Sequence, residues 1–394
     1  MDEGDEEDVA PLSPSTSSSG LKTAMSHIVI IGCGVVGAAI AYELSQLKEL
    51  KITVIDRQAP AKASTGAALG VLMGVISQKV KGKAWQMRQT SIQRYETLIP
   101  ELEALTNRQI PFNRQGILSL CSEEDNLAAW ENLVAIRHSQ GWRLEIWDAA
   151  KLKDICPQVN NEKITGAVYS PQDRQLDPTA LTLALVEAAQ HKGVTFKFGV
   201  TVLGMPTPEK NSLEAPVKYT LVETTEGKIA ADWIVIAAGL GSTPLTTQLN
   251  QTVNIRPVLG QALQLSLGHT LGNPDFQPAI TGNDVHIVPV GGGNYWIGAT
   301  VEFPTNGDEI PPNLELLESV RQQAIAFCPE LATANIIRTW SGLRPRPEGR
   351  PAPIIDRLPG FSNILLATGH YRNGVLLAPA TARAIREMII PGNS

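Results

Sequence analysis

The sequence predicts an α/β fold in which a Rossmann-type domain, assembled from separate parts of the chain, is joined to an α+β domain with a large, mostly antiparallel sheet. Three observations predict it. A strand, a glycine-rich corner, a helix and a second strand follow one another in His27–Asp56. Several apolar strands far along the chain run into glycines. Residues Val253–Val301 alternate between apolar and polar, as consecutive antiparallel strands do.

Composition restricts the class of protein. The chain has 394 residues, of which 43% are apolar and 18% charged, enough to build two domains or one elaborated domain. Residues 1–24 hold six acids and one base, which leaves 33 acids against 32 bases in the rest of the chain. This nearly neutral body offers no basic stripe to nucleic acid and no polybasic segment to a membrane. The tail, rich in acids, Ser, Thr and Pro, is predicted to be disordered.

The cysteines and the apolar runs bear on location. The four cysteines, at positions 33, 121, 156 and 328, lack the paired spacings of zinc sites and dithiol redox motifs, so we expect no metal and a reducing compartment. A cytoplasmic location is predicted, with a plastid stroma as the alternative if residues 1–24 are a processed extension, although the tail lacks Arg. The longest apolar run, Ile28–Tyr42, is too short to span a bilayer, so no integral membrane segment is expected.

The glycine corner has the arrangement of a dinucleotide-binding turn. Ile28–Ile31 is predicted as a buried parallel strand and Val36–Leu47 as a helix, which makes residues 32–37 (GCGVVG) the turn between them. In this G-x-G-x-x-G pattern the first glycine permits the turn, the second admits a pyrophosphate, and the third lets helix and strand pack closely. The helix N-terminus then offers N–H groups and a positive dipole end to the anion.

The residues after the corner favour FAD as the dinucleotide. Lys51–Ile55 is predicted as the second strand, and Asp56 follows where an acid takes the ribose hydroxyls of an adenosine. The small-residue segment Ala63–Gly70 is expected to be a loop that lies flat against a long cofactor. Three later strands that run into glycines would bring their carboxyl ends to the same ligand crevice. These strands are predicted within Gly193–Met205, Lys228–Ser242 and Asn363–Gly374.

The chain resembles the D-amino-acid oxidase superfamily of FAD-dependent enzymes, and within it the glycine oxidases of thiamine biosynthesis, from about Ser26 to the C-terminus. The motifs that carry the resemblance are, in chain order, IVIIGCGVVGAAIAYELS with Asp56-Arg57, LDPTALTLALVEAA (Leu176–Ala189), DWIVIAAGLGS (Asp232–Ser242), RPVLGQALQL (Arg256–Leu265), HIVPVGGGNYWIGATVE (His286–Glu302), WSGLRPRPEGRPAPIID (Trp340–Asp356) and GHYRNGVLLAPATA (Gly369–Ala382).

The resemblance implies a flavoenzyme that removes a hydride from the α-carbon of a small amine or amino acid. The imine that results hydrolyses to a keto acid and ammonia. FAD is expected to be non-covalent, because no cysteine lies near Arg344 to attach it. The positions implied to bind the cofactor are Gly32, Gly34, Val36, Gly37, Asp56, Arg57, Ser64, Thr65, Ala67, Ala68, Val202, Ala238, Gly239, Gly342, His370, Arg372, Asn373, Gly374, Val375 and Leu376.

Two arginines are implied at the reacting end. Arg344 matches the carboxylate-binding arginine of the family, since a guanidinium fork can make two parallel bonds to a carboxylate; a solvated surface charge is the alternative. Arg372 lies in a loop implied to cover the flavin ring, and the following helix would direct its positive N-terminus at the pyrimidine edge. The alternative is that His370 and Arg372 only cap this loop. Pro379 is expected to be tolerated because it lies in the first helical turn.

Two positions in the implied substrate pocket depart from the family. His286 stands where glycine oxidases commonly have tyrosine, and Val301 stands where a bulkier methionine is usual. With Arg344 and Arg372 they complete the predicted catalytic set. His286 could offer a hydrogen bond, or titrate near neutrality and tie activity to pH; a satisfied strand residue is the alternative. The departures leave open whether glycine is the substrate.

The predicted FAD-binding domain comprises residues 25–74, 166–242 and 339–394, and the substrate domain comprises residues 75–165 and 243–338. Within the substrate domain, Lys81–Glu103 and Glu123–Gln140 are predicted as helices and Arg114–Leu120 as a strand. A sheet roofed by helices, with its open face over the flavin, is expected.

Three functions are left open by the sequence. The first is an FAD-dependent oxidase of a glycine-, sarcosine- or D-amino-acid-like substrate. The second is an amino acid dehydrogenase that passes electrons to a quinone or a protein. The third is a non-catalytic flavin-binding assembly protein that docks through its acidic tail. The GLRP and GHYRNG motifs argue against this third function. Substrate identity, electron acceptor and a homo-oligomeric state are also left open.

Overall fold

The computed structural model describes residues 25–206, 216–304 and 310–390, so the acidic tail predicted at residues 1–24 lies outside the described part. The β-strands of the described residues are β1 (Ser26–Ile31), β2 (Leu50–Asp56), β3 (Val71–Leu72), β4 (Phe112–Asn113), β5 (Ile117–Ser122), β6 (Glu145–Asp148), β7 (Ile164–Ser170), β8 (Arg174–Leu176), β9 (Thr195–Phe198), β10 (Val202–Gly204), β11 (Leu221–Thr224), β12 (Gly227–Ala230), β13 (Trp233–Ile236), β14 (Ile255–Ser266), β15 (Ala279–Gly282), β16 (Val285–Gly291), β17 (Asn294–Gly298), β18 (Asn335–Pro347), β19 (Ile354–Arg357) and β20 (Ile364–Thr368).

The α-helices of the described residues are α1 (Val35–Leu44), α2 (Ser64–Ala67), α3 (Gly82–Thr106), α4 (Leu127–Ser139), α5 (Ala149–Ile155), α6 (Pro178–His191), α7 (Ser242–Thr247), α8 (Leu314–Phe327) and α9 (Gly374–Ile389). Short 3-10 turns occupy Gly239–Gly241, Pro329–Thr333 and Tyr371–Asn373. Within the described ranges, none of these helices combines the length and the apolarity that crossing a bilayer requires.

The first sheet has six strands in the order β19-β20-β13-β1-β2-β9. Every pair from β20 to β9 is parallel, and only β19 runs antiparallel, at the edge. Because parallel strands end at one edge of a sheet, the turns that follow β1, β2, β13 and β20 are neighbours. The predicted Rossmann-type arrangement is confirmed.

The two faces of this sheet are covered differently, as alternating side chains require. Ile28 and Ile30 of β1 belong to a core formed with α1, α3, α6 and α9. Val29 and Ile31 point the other way, into a core shared with residues of the antiparallel sheet β10-β11-β12. Burial on both faces explains why the central strands are continuously apolar.

The second large sheet has eight strands in the order β18-β14-β17-β16-β15-β5-β7-β6, all antiparallel except the pair β15–β5. One face packs on α8 and α5, for example Leu263 and Ile287 with Phe327 and Leu152. The opposite face carries a small apolar cluster that includes Ala262 and Val288. The predicted antiparallel sheet is confirmed, and its remaining open face is available for the site.

Three local predictions are corrected. The strand predicted over Gly193–Met205 is two strands, β9 and β10, in different sheets, because the chain turns at Gly199 with φ of 76°. The loop predicted over Ala63–Gly70 contains the short helix α2. The first helix ends at Leu44 rather than Leu47.

The sheet pairing crosses the predicted domain limits at two places. Residues 166–170 and 339–347, grouped by the sequence with the FAD-binding segments, pair within β7 and β18 of the eight-stranded sheet. The chain therefore passes from one sheet to the other several times. The domain limits themselves stay a prediction.

The proline in α9 is accommodated by a neighbouring helix. α9 begins at Gly374, so Pro379 lies beyond its first turn, and the explanation expected from the sequence is wrong. Pro379 has no N–H for the carbonyl of Val375, and the buried hydroxyl of Tyr95 on α3 donates to that carbonyl instead. One turn earlier on α3, the Ser91 hydroxyl accepts the N–H of Ala380 (3.2 Å). Both backbone groups are thereby satisfied.

Candidate active site

The corner between β1 and α1 excludes side chains at two of its glycines. Gly32 has φ of 105°, and a Cβ there would stand 2.5 Å from the carbonyl oxygen of Ala237, just after β13. A Cβ at Gly37 would stand 1.9 Å from the carbonyl oxygen of Gly32. These two glycines therefore serve the turn and the close packing of helix on strand.

The second glycine of the corner, Gly34, is less crowded than the other two. In the described part of the chain, the one atom near a Cβ at Gly34 would be the hydroxyl oxygen of Thr65, 3.1 Å away, and Val35 N–H donates to that same hydroxyl (3.0 Å). Gly34 is the N-cap of α1 and offers no side chain to it. At the end of β2, the Asp56 carboxylate is held by Cys33 N–H (2.6 Å). An accessible helix N-terminus beside a fixed carboxylate fits the pyrophosphate and ribose of FAD.

The short helix α2 connects the glycine corner to the eight-stranded sheet. The Ser64 hydroxyl donates to a backbone carbonyl of β18 (2.6 Å), and the Trp340 indole N–H donates to the carbonyl of Ala67 (3.1 Å). A Cβ at Gly342 would stand 2.3 Å from the Cβ of Ala67, so α2 lies directly on β18. The predicted cofactor residues of this segment thus lie where the two sheets meet.

The open face of the eight-stranded sheet turns toward α2. Residues two apart on a strand share a face, so Arg344 lies on the same side of β18 as Trp340, which contacts α2. His286 of β16 likewise shares a face with Val288, a member of the apolar cluster on that side. The structure therefore brings the predicted residues Arg344 and His286 to the surface that faces the glycine corner.

Arg344 is anchored through one nitrogen of its guanidinium. Nη1 donates to the carbonyl oxygens of Leu259 (2.9 Å) and Thr300 (3.0 Å). The guanidinium lies so close to β14 that a Cβ at Gly260 would stand 2.2 Å from Nη2. Among the described residues, Nη2 and Nε have no hydrogen-bond partner and no carboxylate pairs with this group. Burial, and next the charge of Arg372, lower the pKa of Arg344.

Val301 lies beside one of these anchoring carbonyls. Its neighbour Thr300 is fixed by Gln261, whose N–H donates to the Thr300 hydroxyl (2.8 Å). Its other neighbour, Glu302, exchanges two backbone hydrogen bonds with Leu259 (2.9 and 3.0 Å). Val301 is half-buried and is therefore held next to Arg344 by well-bonded backbone on both sides.

His286 is neutral at pH 7. Burial lowers its pKa to about 4, and the charges of Arg372 and Arg344 act in the same direction, whereas Asp284 opposes them. Its Nδ1 is buried and has no hydrogen-bond partner in the part of the chain that the structure describes. The lowered pKa speaks against titration near neutrality and the unpartnered Nδ1 against a satisfied strand residue, and the role of His286 stays a prediction. A ligand could satisfy Nδ1.

Arg372 reaches from the turn after β20 to the tip of the β15–β16 hairpin. Its Nη2 donates to Asp284 Oδ1 (3.0 Å), and Nη1 lies 3.5 Å from Oδ2. The hydrogen bond from Arg372 is the main cause that lowers the pKa of Asp284. Because Arg372 also acts on the pKa values of His286 and Arg344, these four side chains lie close enough to interact electrostatically.

The start of α9 forms another wall of the crevice, at the carboxyl end of β20. His370 is buried there, and its Nε2 hydrogen-bonds with the Thr381 hydroxyl of α9 (2.9 Å). Burial lowers the pKa of His370 to about 4. The side chain of His370 therefore holds the loop to α9, and its contact with the cofactor stays a prediction, whereas Arg372 reaches across to the hairpin tip. The predicted residues Asn373, Gly374, Val375 and Leu376 form the N-terminal end of α9.

The remaining predicted cofactor residues are spread around the parallel sheet. Val36 lies in the first turn of α1, and Ala238 and Gly239 form the turn after β13. Arg57 is exposed directly after β2. Val202 lies in β10 and packs on the core that covers the other face of the sheet. Ala68 follows α2 and packs against the core that contains α1.

Sequence reasoning missed three participants. Gly260 could have been found, because a glycine inside an alternating strand often marks a close approach by another group. No local sequence pattern could have indicated the carbonyl of Thr300 or the carboxylate of Asp284, because each contacts an arginine that is distant in the sequence. Within the described ranges, no group of three or more His, Cys, Asp or Glu side chains could hold a metal ion.

Comparison with known proteins is consistent with this geometry. A family model described as "FAD dependent oxidoreductase" matches residues 27–388. "Bifunctional protein ThiO/ThiG" of Synechocystis is 32% identical over 93% of this chain and 52% of its own length. "Glycine oxidase" of Bacillus licheniformis is 29% identical over 92% of each chain.

Solved structures show the same architecture. A crystal structure of glycine oxidase from Bacillus cereus superposes with a TM-score of 0.81, at 25% identity, over 94% of this chain and 96% of that one. The chain spans about half the length of the ThiO/ThiG relatives that it matches.

Proposed function

The chain belongs to the FAD-dependent oxidoreductase family, and from that membership we propose that it oxidises a small amine or amino acid that carries a carboxylate. The single observation that carries the proposal is the Arg344 guanidinium. It is anchored through Nη1 to two carbonyls, while Nη2 and Nε have no partner among the described residues. A guanidinium with two donor nitrogens that are not engaged by the described residues suits a substrate carboxylate.

The residues of the glycine corner would hold the cofactor without a covalent bond. The N-terminus of α1 beside Gly34 suits the pyrophosphate, Asp56 suits the ribose, and the start of α9 suits the pyrimidine edge of the flavin. Bound FAD supplies a two-electron acceptor for oxidation of a C–H bond next to nitrogen. All four cysteines are buried, and none of them is close to Arg344 in the sequence.

The protein's own part in the reaction is to orient the substrate. Arg344 would take the carboxylate through Nη2 and Nε, which fixes the direction of the α-carbon. The neutral His286 presents Nδ1 to the substrate amine as a hydrogen-bond partner, with its role set by the tautomer. Removal of a hydride from the α-carbon needs no protein base at that atom. The imine product then hydrolyses to a keto acid and ammonia.

The substrate class that we propose is glycine-, sarcosine- or D-amino-acid-like. The identity with "Glycine oxidase" of Bacillus licheniformis over nearly the whole of both chains supports a small substrate. A place in thiamine biosynthesis is proposed on the same resemblance.

Anaerobic reduction of the flavin by a panel of amines tests the proposal. We expect glycine, sarcosine or a D-amino acid to bleach the visible absorption of the purified enzyme, and Arg344→Ala to slow this bleaching strongly at the same concentrations. Arg350→Ala, which removes an exposed arginine just after β18, is the matched control and should behave as the native enzyme does. If no amine in a broad panel reduces the flavin, the proposed activity is wrong.

The electron acceptor is decided in the same preparation. One hydrogen peroxide formed for each substrate oxidised in air supports an oxidase. Turnover that requires a quinone or a protein acceptor, with little peroxide, would identify a dehydrogenase instead. Flavin that stays oxidised with every substrate, in protein that still binds FAD, would favour a non-catalytic role.

A further inference from the structure

The tip of the β15–β16 hairpin keeps a side chain where the backbone favours glycine. The two residues of the tip, Asn283 and Asp284, have φ of 50° and 64°. Positive φ at both central positions is typical of a type I′ turn, in which the second position is most often glycine. A carboxylate stands there instead, on a short and well-paired hairpin. A carboxylate at this position runs against the backbone preference, which suggests that the side chain has a task.

The carboxylate of Asp284 faces a cation of the active site. Both its oxygens lie near the guanidinium of Arg372, at 3.0 and 3.5 Å. Arg372 belongs to the turn after β20, so the contact joins the hairpin of the eight-stranded sheet to the cofactor side of the crevice. The side chain of Asp284 is 73% exposed and lies at the solvent side of the pair.

The charges of the site can be counted from these contacts. Arg344 has no carboxylate partner among the described residues, and Arg372 is paired with Asp284. His286, on which both arginines act, is neutral at pH 7. Of these two arginines, Arg344 is therefore the one open to a substrate carboxylate, and the buried Glu302 acts on its pKa without forming an ion pair with it. One substrate carboxylate matches Arg344, whereas a second would meet Asp284 and an arginine that already has a partner.

We propose that Asp284 is a specificity-determining residue, which restricts the site to substrates with a single carboxylate by occupying Arg372 and repelling a second acid. This inference rests on the proposed function, because it concerns the substrate that Arg344 holds. It differs from that function in predicting a gain when a residue is removed: without the negative charge at position 284, Arg372 becomes available to a second carboxylate.

A pair of N-substituted glycines tests the inference. N-ethylglycine and iminodiacetate differ in the terminal group of the N-substituent, methyl in one and carboxylate in the other. In Asp284→Asn we expect the kcat/KM of iminodiacetate relative to N-ethylglycine to rise about tenfold over the native ratio, as a repulsion is replaced by a charge-assisted bond. Asparagine adopts positive φ readily, so the turn is retained. Asp275→Asn, at another exposed acid of the described residues, should leave the ratio unchanged.

A binding measurement separates this inference from the activity itself. Malonate and acetate are not oxidised, and each raises the unfolding temperature of the FAD-loaded protein to the extent that it binds. Asp284→Asn should increase the affinity for malonate about tenfold and that for acetate by less than twofold. Equal changes for both ligands, or an unaltered substrate ratio in an active enzyme, would overturn the role of Asp284. If malonate behaves as expected while no amine reduces the flavin, only the proposed oxidation fails.

Discussion

The absence of a side chain at Gly260 determines where the Arg344 guanidinium lies. Gly260 stands opposite Gly342 in the pairing of β14 with β18, and Arg344 leans across it toward the carbonyls of Leu259 and Thr300. The atom nearest to a new Cβ at position 260 is Nη2, at the end of the flexible Arg344 side chain, and not a backbone atom. A substitution at Gly260 should therefore displace the guanidinium and spare the fold.

Gly260→Ala should lower the kcat/KM for an amino acid substrate about tenfold to a hundredfold, because a small misplacement of an orienting group is amplified in the rate. Steady-state kinetics of Gly260→Ala, Arg344→Ala and the double variant check this. If Gly260 acts through Arg344, adding Gly260→Ala to Arg344→Ala should change nothing further. Full additivity, or loss of thermal stability in the single variant, would contradict this explanation.

At the scale of elements, the backbone of one segment satisfies two buried polar side chains. The segment 74–79, between β3 and α3, lies between a buried carboxylate and a buried guanidinium. Asp173 accepts the N–H groups of Gly74, Val75 and Ile76 at 2.7, 2.7 and 2.8 Å. Arg137 donates to carbonyls of the same segment, for example that of Val75 at 2.6 Å, and stacks on the Trp85 ring. The two side chains are thus linked by the segment they hold.

Removal of one of these charges should destabilise the protein strongly. We expect Arg137→Met to lower the free energy of unfolding by about 3–5 kcal/mol, because three buried carbonyls lose their donor. Urea unfolding of the FAD-loaded protein measures it. Arg143→Met is the control: that arginine forms an exposed ion pair with Glu145, and its loss should change stability by about 0–1 kcal/mol. Equal effects would refute the distinction between the two sites.

The contact of α3 with α9 makes a second prediction at this scale. Tyr95→Phe leaves the carbonyl of Val375 buried without a donor and should cost about 1–3 kcal/mol of stability. Pro379→Ala restores an N–H at the position that donates to Val375 in a regular helix. In a double-mutant cycle, the penalty of Tyr95→Phe should therefore shrink by at least half in the Pro379→Ala background. An unchanged penalty would show that the hydroxyl serves another purpose.

The elements also show what the sequence could predict. The strands β1, β2, β13 and β20 were predictable because burial on both faces makes each of them a continuous apolar run. The helix α2 was not, since its four residues gain their stability from contacts with β18, among them Trp340 and Gly342. Propensity in so short a segment is a weak guide where tertiary contacts decide.

At the scale of the whole molecule, the site forms where the two large sheets meet. The glycine corner could be predicted because one motif contains it. The implied positions of Arg344 and His286 agree with the structure in that both lie on the face toward that corner. The partners of these residues could not be predicted, because they depend on the register of β14 with β18 and on a hairpin tip that meets the turn after β20.

One part of the pH dependence of global stability follows from the buried His370. Its pKa is about 4 in the folded protein and about 6.5 when unfolded, so the unfolded chain binds more protons between these values and stability falls as the pH drops through them. Between pH 7.5 and pH 5 this group alone should remove about 2 kcal/mol. Urea unfolding at both pH values should show a loss smaller by about that amount in His370→Asn. Parallel losses in the two proteins would contradict the assignment.

The central claim is that Arg344 selects substrates by their carboxylate, and rapid anaerobic flavin reduction tests it most directly. Sarcosine and dimethylamine present the same secondary amine, with and without the carboxylate. In the native enzyme the second-order rate constant of reduction should favour sarcosine by about a hundredfold or more, and in Arg344→Ala this preference should fall to within a few-fold of unity. An undiminished preference in Arg344→Ala, or none in the native enzyme, would contradict the account.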